Sequence, residues 1–189
     1  MFNTDELSSL RWDPVSRRVE IIDQTLLPHT LRWCHLDSLH AFCHAIGNMQ
    51  VRGAPLIGIT AAFGLAHALA EDPSDDGLQS ARARLLATRP TAVNLRWALD
   101  QIEASLGDVE LGQRPRVALE RALELRAEDI AHCAAIGEHG LGLLRQLGNG
   151  EVLNIMTHCN AGWLATIQWG TALAPVYKAV EAGIPVHVW

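Results

Sequence analysis

Val152-Leu153-Asn154-Ile155-Met156 runs directly into Thr157-His158-Cys159-Asn160-Ala161-Gly162, and Trp163 then opens an amphipathic segment. A short apolar run, a turn, and then helical spacing predict a buried strand that hands over to a helix. In an open α/β sheet, ligands gather beyond the carboxyl ends of strands, where helix N-termini offer unpaired N–H groups and positive partial charge. A thiol at such a place tends toward thiolate. Asn160 can cap the following helix and Gly162 lets a ligand or backbone come close, so the turn looks built for approach. The competing reading is that Cys159 is simply a small buried residue. His158 is a poor ion-pair partner for it, because adjacent strand residues point to opposite faces.

Working forward from this turn, Trp163 to Glu181 reads as a helix, Gly183 as its stop, and Ile184 to Trp189 as a second strand. Strand, helix, strand is a βαβ unit and the start of a parallel sheet. Such a sheet needs both faces covered and more than two strands. The expectation is therefore that these residues form the front part of a longer protein.

Working backward, Gly148-Asn149-Gly150 ends a long helical pattern running from about Pro115 to Leu147. The domain boundary is drawn there, with residues 1–148 as an N-terminal β/helical domain and 151–189 as the incomplete start of a Rossmann-like domain. The expected fold class is thus α/β: a mainly helical N-terminal domain with a small β unit, then the first βαβ of an incomplete Rossmann-like parallel sheet. Within the N-terminal part, Val19-Glu20-Ile21-Ile22-Asp23 is a strand candidate between turns at Asp13-Pro14 and Leu27-Pro28-His29. Asp37 can cap a helix reaching about Met49, and Pro55 suits the first turn of an Ala/Gly-rich helix. Glu71 to Gly77 reads as an acidic loop, followed by a helix from about Leu78 to Thr88. Thr91 can cap the next helix, which carries Val93, Trp97, Ile102 and Leu106.

In the Ala/Gly-rich helix, Gly53 to Ala70 is a run of eighteen residues without Asp, Glu, Lys or Arg. That length meets the threshold for a membrane span. Its Ala and Gly content, with Thr60 and His67, gives a weak insertion free energy compared with a Leu-rich span. A buried core helix with small faces for close packing is the preferred reading, with no membrane partner.

Just ahead of that helix, Arg52-Gly53-Ala54-Pro55 sets a guanidinium and a glycine at a helix start, where backbone N–H groups can hold a phosphate. No Gly-Lys-Ser/Thr follows, so it is not a Walker loop. By spacing alone, the plainer alternative is a capped core helix whose arginine makes a structural salt bridge. Arg89 precedes Pro90-Thr91, again where a loop leads into a helix; alone it reads as a surface arginine. Cys34, His35, His40, Cys43 and His44 crowd together, and His40 and His44 would share a helix face. Cys43 belongs to an apolar stripe, and neither a Cys-x-x-Cys pair nor a second ligand set is present, so the reading is a packed or solvated helix and no metal.

Composition sets outer limits. With 49% apolar and 19% charged residues over 189 positions, the chain has the make-up of a folded globular protein. A formal charge of −6, with arginines scattered among acids, gives no basic footprint for nucleic acid. Four cysteines and no charged n-region followed by an apolar core near Met1 favour a reducing cytoplasm.

Taken together, Val51-Arg52-Gly53-Ala54-Pro55-Leu56-Ile57-Gly58-Ile59, Thr88-Arg89-Pro90-Thr91-Ala92-Val93-Asn94-Leu95 and the Thr157–Gly162 turn resemble the methylthioribose-1-phosphate isomerase family. Glu20-Ile21-Ile22-Asp23-Gln24-Thr25-Leu26-Leu27-Pro28 is similar to that family's opening strand, so the resemblance covers nearly the whole chain in order. It implies conversion of 5-methylthioribose 1-phosphate to 5-methylthioribulose 1-phosphate in methionine salvage. Because C1 is phosphorylated, the sugar cannot open as a free aldose does. The resemblance further implies phosphate and sugar contacts from Arg52, Gly53, Ala54 and Arg89, with Cys159 as a catalytic residue in a water-poor pocket. A homodimer and no required cofactor are also implied.

Members of that family continue with a substrate-binding glutamine, a catalytic aspartate acting as proton donor, and an Asn-Lys pair, none of which falls within residues 1–189. General acid–base catalysis loses orders of magnitude without its positioned acid. Residues 1–189 by themselves are therefore expected to be inactive or nearly so. Two alternatives stay open. One is a noncatalytic regulatory or assembly subunit, like the related alpha, beta and delta subunits of the exchange factor for translation initiation factor two. The other is a ribose bisphosphate isomerase.

Overall fold

The structure is a computed structural model, and it describes residues 8–148 and 150–189. Contacts divide the chain into two compact units between Ala127 and Glu128, inside a long helix and ahead of the Gly148–Gly150 break.

The first unit, Leu10–Ala127, opens with three antiparallel strands in the order β1 (Leu10–Asp13), β2 (Arg18–Ile22), β3 (Trp33–Leu36). Asp13 makes the β1–β2 turn by accepting from the Val15 N–H at 2.9 Å, the local self-bonding that suits aspartate to turns. Leu10, Val19, Ile21 and Leu36 are buried along one face of this small sheet, which belongs to the core, and Ile22 is buried on the other side at the strand's end. β1 and β3 both extend the β unit beyond the single expected strand, Val19–Asp23.

Four helices follow: α1 (Leu39–Gly47), α2 (Ala54–Glu71), α3 (Asp75–Thr88) and α4 (Val93–Leu106). α2 is the hub, packed against α1, α3 and α4. By length and composition α2 could cross a membrane, yet 72% of it is buried inside the fold. Small residues make that burial possible. A Cβ on Gly64 would stand 3.0 Å from the Phe42 side chain, and one on Gly58 only 2.8 Å from the Asn94 carbonyl oxygen. Helix axes come this close only where side chains are missing.

Several caps differ from expectation. Ser38, not Asp37, caps α1 by accepting from the Ala41 N–H at 3.2 Å. α3 starts earlier than expected because Ser74 accepts from the Gly77 N–H at 3.0 Å, and Asp75 and Asp76 then complement the helix dipole. Ala92, not Thr91, occupies the cap position of α4, and no side chain bonds there.

α5 (Arg114–Leu147) lends its first part to this unit through buried Ala118, Ala122 and Leu125. Arg114 fastens its start, donating to the Pro73 carbonyl at 3.0 Å and pairing with Asp75 at 2.7 Å.

The second unit consists of Glu128–Trp189 with the described residues that precede Leu10. It contains the later part of α5, β4 (Leu153–Ile155), α6 (Ala174–Glu181) and β5 (Val186–Val188). β4 and β5 pair in parallel with Asn154 opposite His187, which makes the expected βαβ connection. β4 is half-buried, with Asn154 exposed, because only β5 pairs with it among the described residues. α6 crosses α5 at two glycines: a Cβ on Gly140 would overlap the Pro175 ring, and one on Gly137 would meet the Ala174 carbonyl.

The continuous helix expected from Trp163 to Glu181 is absent. A single 3₁₀ turn, Trp163–Ala165, is followed by a loop, and α6 begins only at Ala174. The physical reason is a set of loop bonds that outcompete helical ones. The Ala161 carbonyl accepts from the Thr171 and Leu173 N–H groups at 3.0 and 3.3 Å, and Trp169 and Gly170 take positive φ. Asp129 of α5 accepts from the Ile167 N–H at 2.8 Å, while Ser9 donates its N–H to the Ile167 carbonyl at 3.0 Å and its hydroxyl to the Thr166 carbonyl.

Candidate functional site

In the first unit the chain reaches α2 through Val51-Arg52-Gly53. Val51 is fully buried and its N–H donates to the Ala45 carbonyl at 3.2 Å, so the loop is pinned to the end of α1. Gly53 then turns with φ 100°, a left-handed conformation that other residues adopt only with strain. Its carbonyl accepts from the Ile57 N–H at 3.0 Å, which closes the first turn, and no side chain caps the helix. Pro55 sits in that first turn. The uncapped N-terminus therefore presents backbone donors and positive partial charge beside Arg52.

The plainer alternative for Arg52 does not hold. Its side chain is exposed and makes no hydrogen bond or ion pair among the described residues. Arg89, at the carboxyl end of α3, likewise has an unpaired guanidinium among the described residues. Gly58 explains how the two come to the same end of the helix pair. One turn into α2, it presses on Asn94 and Ala98 near the start of α4, and Arg89-Pro90-Thr91-Ala92 is the segment leading into α4. The Arg52 and Arg89 segments thus lead into α2 and α4 at the same end of the helix pair, and a guanidinium beside a helix N-terminus is suited to a phosphate through charge-assisted hydrogen bonds.

Gly58→Ala is expected to destabilise this helix pair. The added methyl meets backbone, not a flexible side chain, so overpacking should cost about 1–3 kcal/mol in urea unfolding. Gly47→Ala is the control, since nothing lies within 4 Å of that position and alanine is the better helix former. Equal stability of the two variants would contradict the close α2–α4 approach.

Sequence reading overlooked Asp23, which is 2% exposed. Burial by itself would raise its carboxyl; side-chain bonds from Thr25 and Gln50, then the Thr25 N–H and Arg32, outweigh that and hold it below the usual aspartate value. Its contribution to stability is complete above the ordinary aspartate pKa and is lost as pH falls through the depressed folded value. The Asp-x-Thr spacing was the available signal, because aspartate bonds its own chain two residues on.

In the second unit, Cys159 lies in the loop after β4, exposed, with φ 71°. A non-glycine residue there is uncommon and marks a constrained position. The expected helix cap at Asn160 is not formed; Gly162 precedes the 3₁₀ turn with no side-chain bond. No helix start stands directly behind the thiol, so the helix-dipole argument for a thiolate lapses. The chain just beyond Cys159 is firmly held: Ala161 is buried, and a Cβ on Gly162 would stand 2.9 Å from the Tyr177 hydroxyl. Cys133 on α5 is a different kind of thiol, buried and pushed up to about 11 by that burial and by Asp129. It has no place as a nucleophile.

Cys34 and His35 lie on β3, while His40, Cys43 and His44 lie on α1, where His44 meets the Asn48 amide at 2.9 Å. Among the described residues no group of three or more His, Cys, Asp or Glu side chains could hold a metal ion.

Residues 50–189 match the profile described as the Initiation factor 2 subunit family. The chain is 56% identical to the methylthioribose-1-phosphate isomerase of Dechloromonas aromatica, over 96% of this chain and 51% of that protein. It is 55% identical to the one from Rhodospirillum rubrum, over 90% of this chain and 46% of that protein. Among solved structures, 5-methylthioribose 1-phosphate isomerase from Pyrococcus horikoshii superposes with a TM-score of 0.84 at 31% identity, covering 100% of this chain and 54% of that one. The delta subunit of translation initiation factor eIF-2B from A. fulgidus superposes with a TM-score of 0.80 at 35% identity, covering 96% and 53%. The chain spans about half the length of the curated relatives it matches.

Proposed function

Because the chain belongs to the Initiation factor 2 subunit family, we propose that it serves an aldose–ketose isomerase converting 5-methylthioribose 1-phosphate to 5-methylthioribulose 1-phosphate in methionine salvage. What supports this reading is that Arg52 and Arg89, both unpaired among the described residues, stand on the segments that lead into α2 and α4 at the end where Gly58 packs on Asn94, beside the uncapped start of α2. Arg52, Arg89 and the backbone of Gly53 and Ala54 bind the phosphate and sugar, and Cys159 assists the transition state. The names of the curated relatives point the same way.

The rest of the proposal extends that role. The enzyme is a cytoplasmic homodimer, acts on a small sugar phosphate, and requires neither cofactor, nucleic acid nor membrane. Residues 1–148 form the N-terminal β/helical domain and 151–189 begin the C-terminal one, on the ground that Gly148 and Gly150 follow the end of α5. A polypeptide limited to residues 1–189 is expected to be inactive or nearly so, since it spans only about half of the relatives' length.

A second reading rests on the likeness to the eIF-2B delta subunit, a protein named as a subunit of a translation initiation factor. Under it the chain is a noncatalytic assembly subunit. One assay separates the two: the full-length product of the gene is supplied with 5-methylthioribose 1-phosphate and ketose formation is followed by carbon NMR. Turnover is the expected result. A folded protein that neither turns over nor binds this sugar phosphate, and that co-purifies with a partner protein, would overturn it in favour of the second reading.

A further inference from the structure

We propose that Asp23 is a positioning residue for phosphate binding, acting through Gln50 to hold the Arg52-Gly53-Ala54 turn in place. The inference rests on the reading of that turn as the phosphate site.

A carboxylate has two oxygens with about four acceptor directions, and Asp23 uses four. Oδ1 accepts from the Thr25 N–H at 3.1 Å and the Thr25 hydroxyl at 2.6 Å. Oδ2 accepts from Gln50 Nε2 at 2.9 Å and from Arg32 Nη2 at 3.3 Å. Gln50 is gripped a second time, because its carbonyl accepts from the Gln24 N–H at 2.9 Å. Side chain and backbone of Gln50 are therefore both tied to the Asp23-Gln24 segment, two residues before Arg52. Val51, next in line, is buried and donates to the Ala45 carbonyl, so Arg52 and Gly53, the latter with φ 100°, carry the chain from that anchor into α2. Where Gln50 is held decides where the guanidinium and the first N–H groups of α2 point.

The bland alternative is a satisfied buried carboxylate that only tightens the connection between β2 and β3. The two readings differ in coupling. If Asp23 acts through the Arg52 turn, removing its charge costs less once Arg52 is gone, because only the N–H groups of the turn are then left to misplace. Asp23→Asn keeps the size and halves the acceptors, since an amide has one oxygen.

The experiment uses calorimetric titration of inorganic phosphate, and of 5-methylthioribose 1-phosphate, into the full-length product of the gene. Parent, D23N, R52A and D23N/R52A are compared, with urea unfolding of each. D23N is expected to weaken phosphate binding by about tenfold or more, comparable to the loss of one hydrogen bond to a charged group. R52A should weaken it as much or more, and the double variant should lose less than the product of the two single losses. Unchanged affinity in D23N, or an equal loss with and without Arg52, would overturn the inference and leave Asp23 a structural carboxylate. Should D23N fail to fold, Gln50→Leu, which keeps the carboxylate and removes only the Nε2 donor, decides by the same comparison. If R52A and R89A themselves leave phosphate affinity untouched, the site reading fails, and the inference with it.

Discussion

Gly170→Ala is expected to lower the unfolding free energy by about 2–5 kcal/mol, which removes much of the stability of an ordinary domain. Two independent penalties meet at this residue. Its φ is +75°, where an L side chain costs about 1–2 kcal/mol. A Cβ would also sit 2.5 Å from the Gly162 carbonyl carbon and 2.6 Å from the Ala161 carbonyl oxygen, so rigid backbone must move. Those are the groups that order the Cys159 loop: the Ala161 carbonyl holds Thr171 and Leu173, and Gly170 donates its own N–H to the Thr166 hydroxyl at 3.1 Å. Gly183→Ala separates the penalties, because Gly183 has φ +74° with nothing within 4 Å. It should cost about 1 kcal/mol and no more than about 2. Urea unfolding of both variants is the measurement, and equal losses would show that the close approach of Gly170 to Ala161-Gly162 is not there.

Cys159→Ala in the full-length product of the gene should lower kcat by about 10²–10⁴-fold while leaving KM nearly unchanged, the signature of a group that acts mainly in the transition state. Arg52→Ala should show the opposite emphasis, raising KM, because a phosphate is held alike in ground and transition states. The contrast comes from where each residue stands. Arg52 borders an uncapped helix start, whereas Cys159 is an exposed thiol on a constrained backbone, φ 71°, followed by a loop with many fixed bonds. A kcat within about twofold of the parent for Cys159→Ala would remove the thiol from the mechanism.

Much of the helical part was legible because it depends on local signals. The apolar content of Gly53 to Ala70 and the Pro55 start predict α2, and the observed helix runs Ala54–Glu71. α5 ends at Leu147, just ahead of the glycines that announce it. Of the caps, Ser38 took the role expected of its neighbour Asp37, since any short oxygen side chain near a helix start can accept the bond and geometry picks among them, while Ser74 lies in the stretch read as an acidic loop. The segment after Cys159 was misread for a different reason. Trp163 to Glu181 has helical spacing, but its first half is held by Asp129, Ser9 and Ala161, partners distant in sequence or closing a loop that spacing does not show.

The sequence by itself determined the helical run from Ala54 and the βαβ character of the end of the chain, and its resemblance to a known family singled out Arg52, Gly53, Ala54, Arg89 and Cys159 as candidate groups. The elements come from periodicity and turn chemistry and the candidate groups from the resemblance of short motifs, all carried by residues near one another in the chain. Tertiary structure alone decided that Arg52 and Arg89 are unpaired among the described residues, that Gly58 brings their loops to one end of the α2–α4 pair, that Asp23 grips Gln50, and that the Cys159 turn leads into a bonded loop and not a helix. Each of these is a choice of hydrogen-bond or packing partner across a long stretch of chain. Such a choice is made by the three-dimensional crowding of backbone donors and acceptors, and no local propensity encodes it.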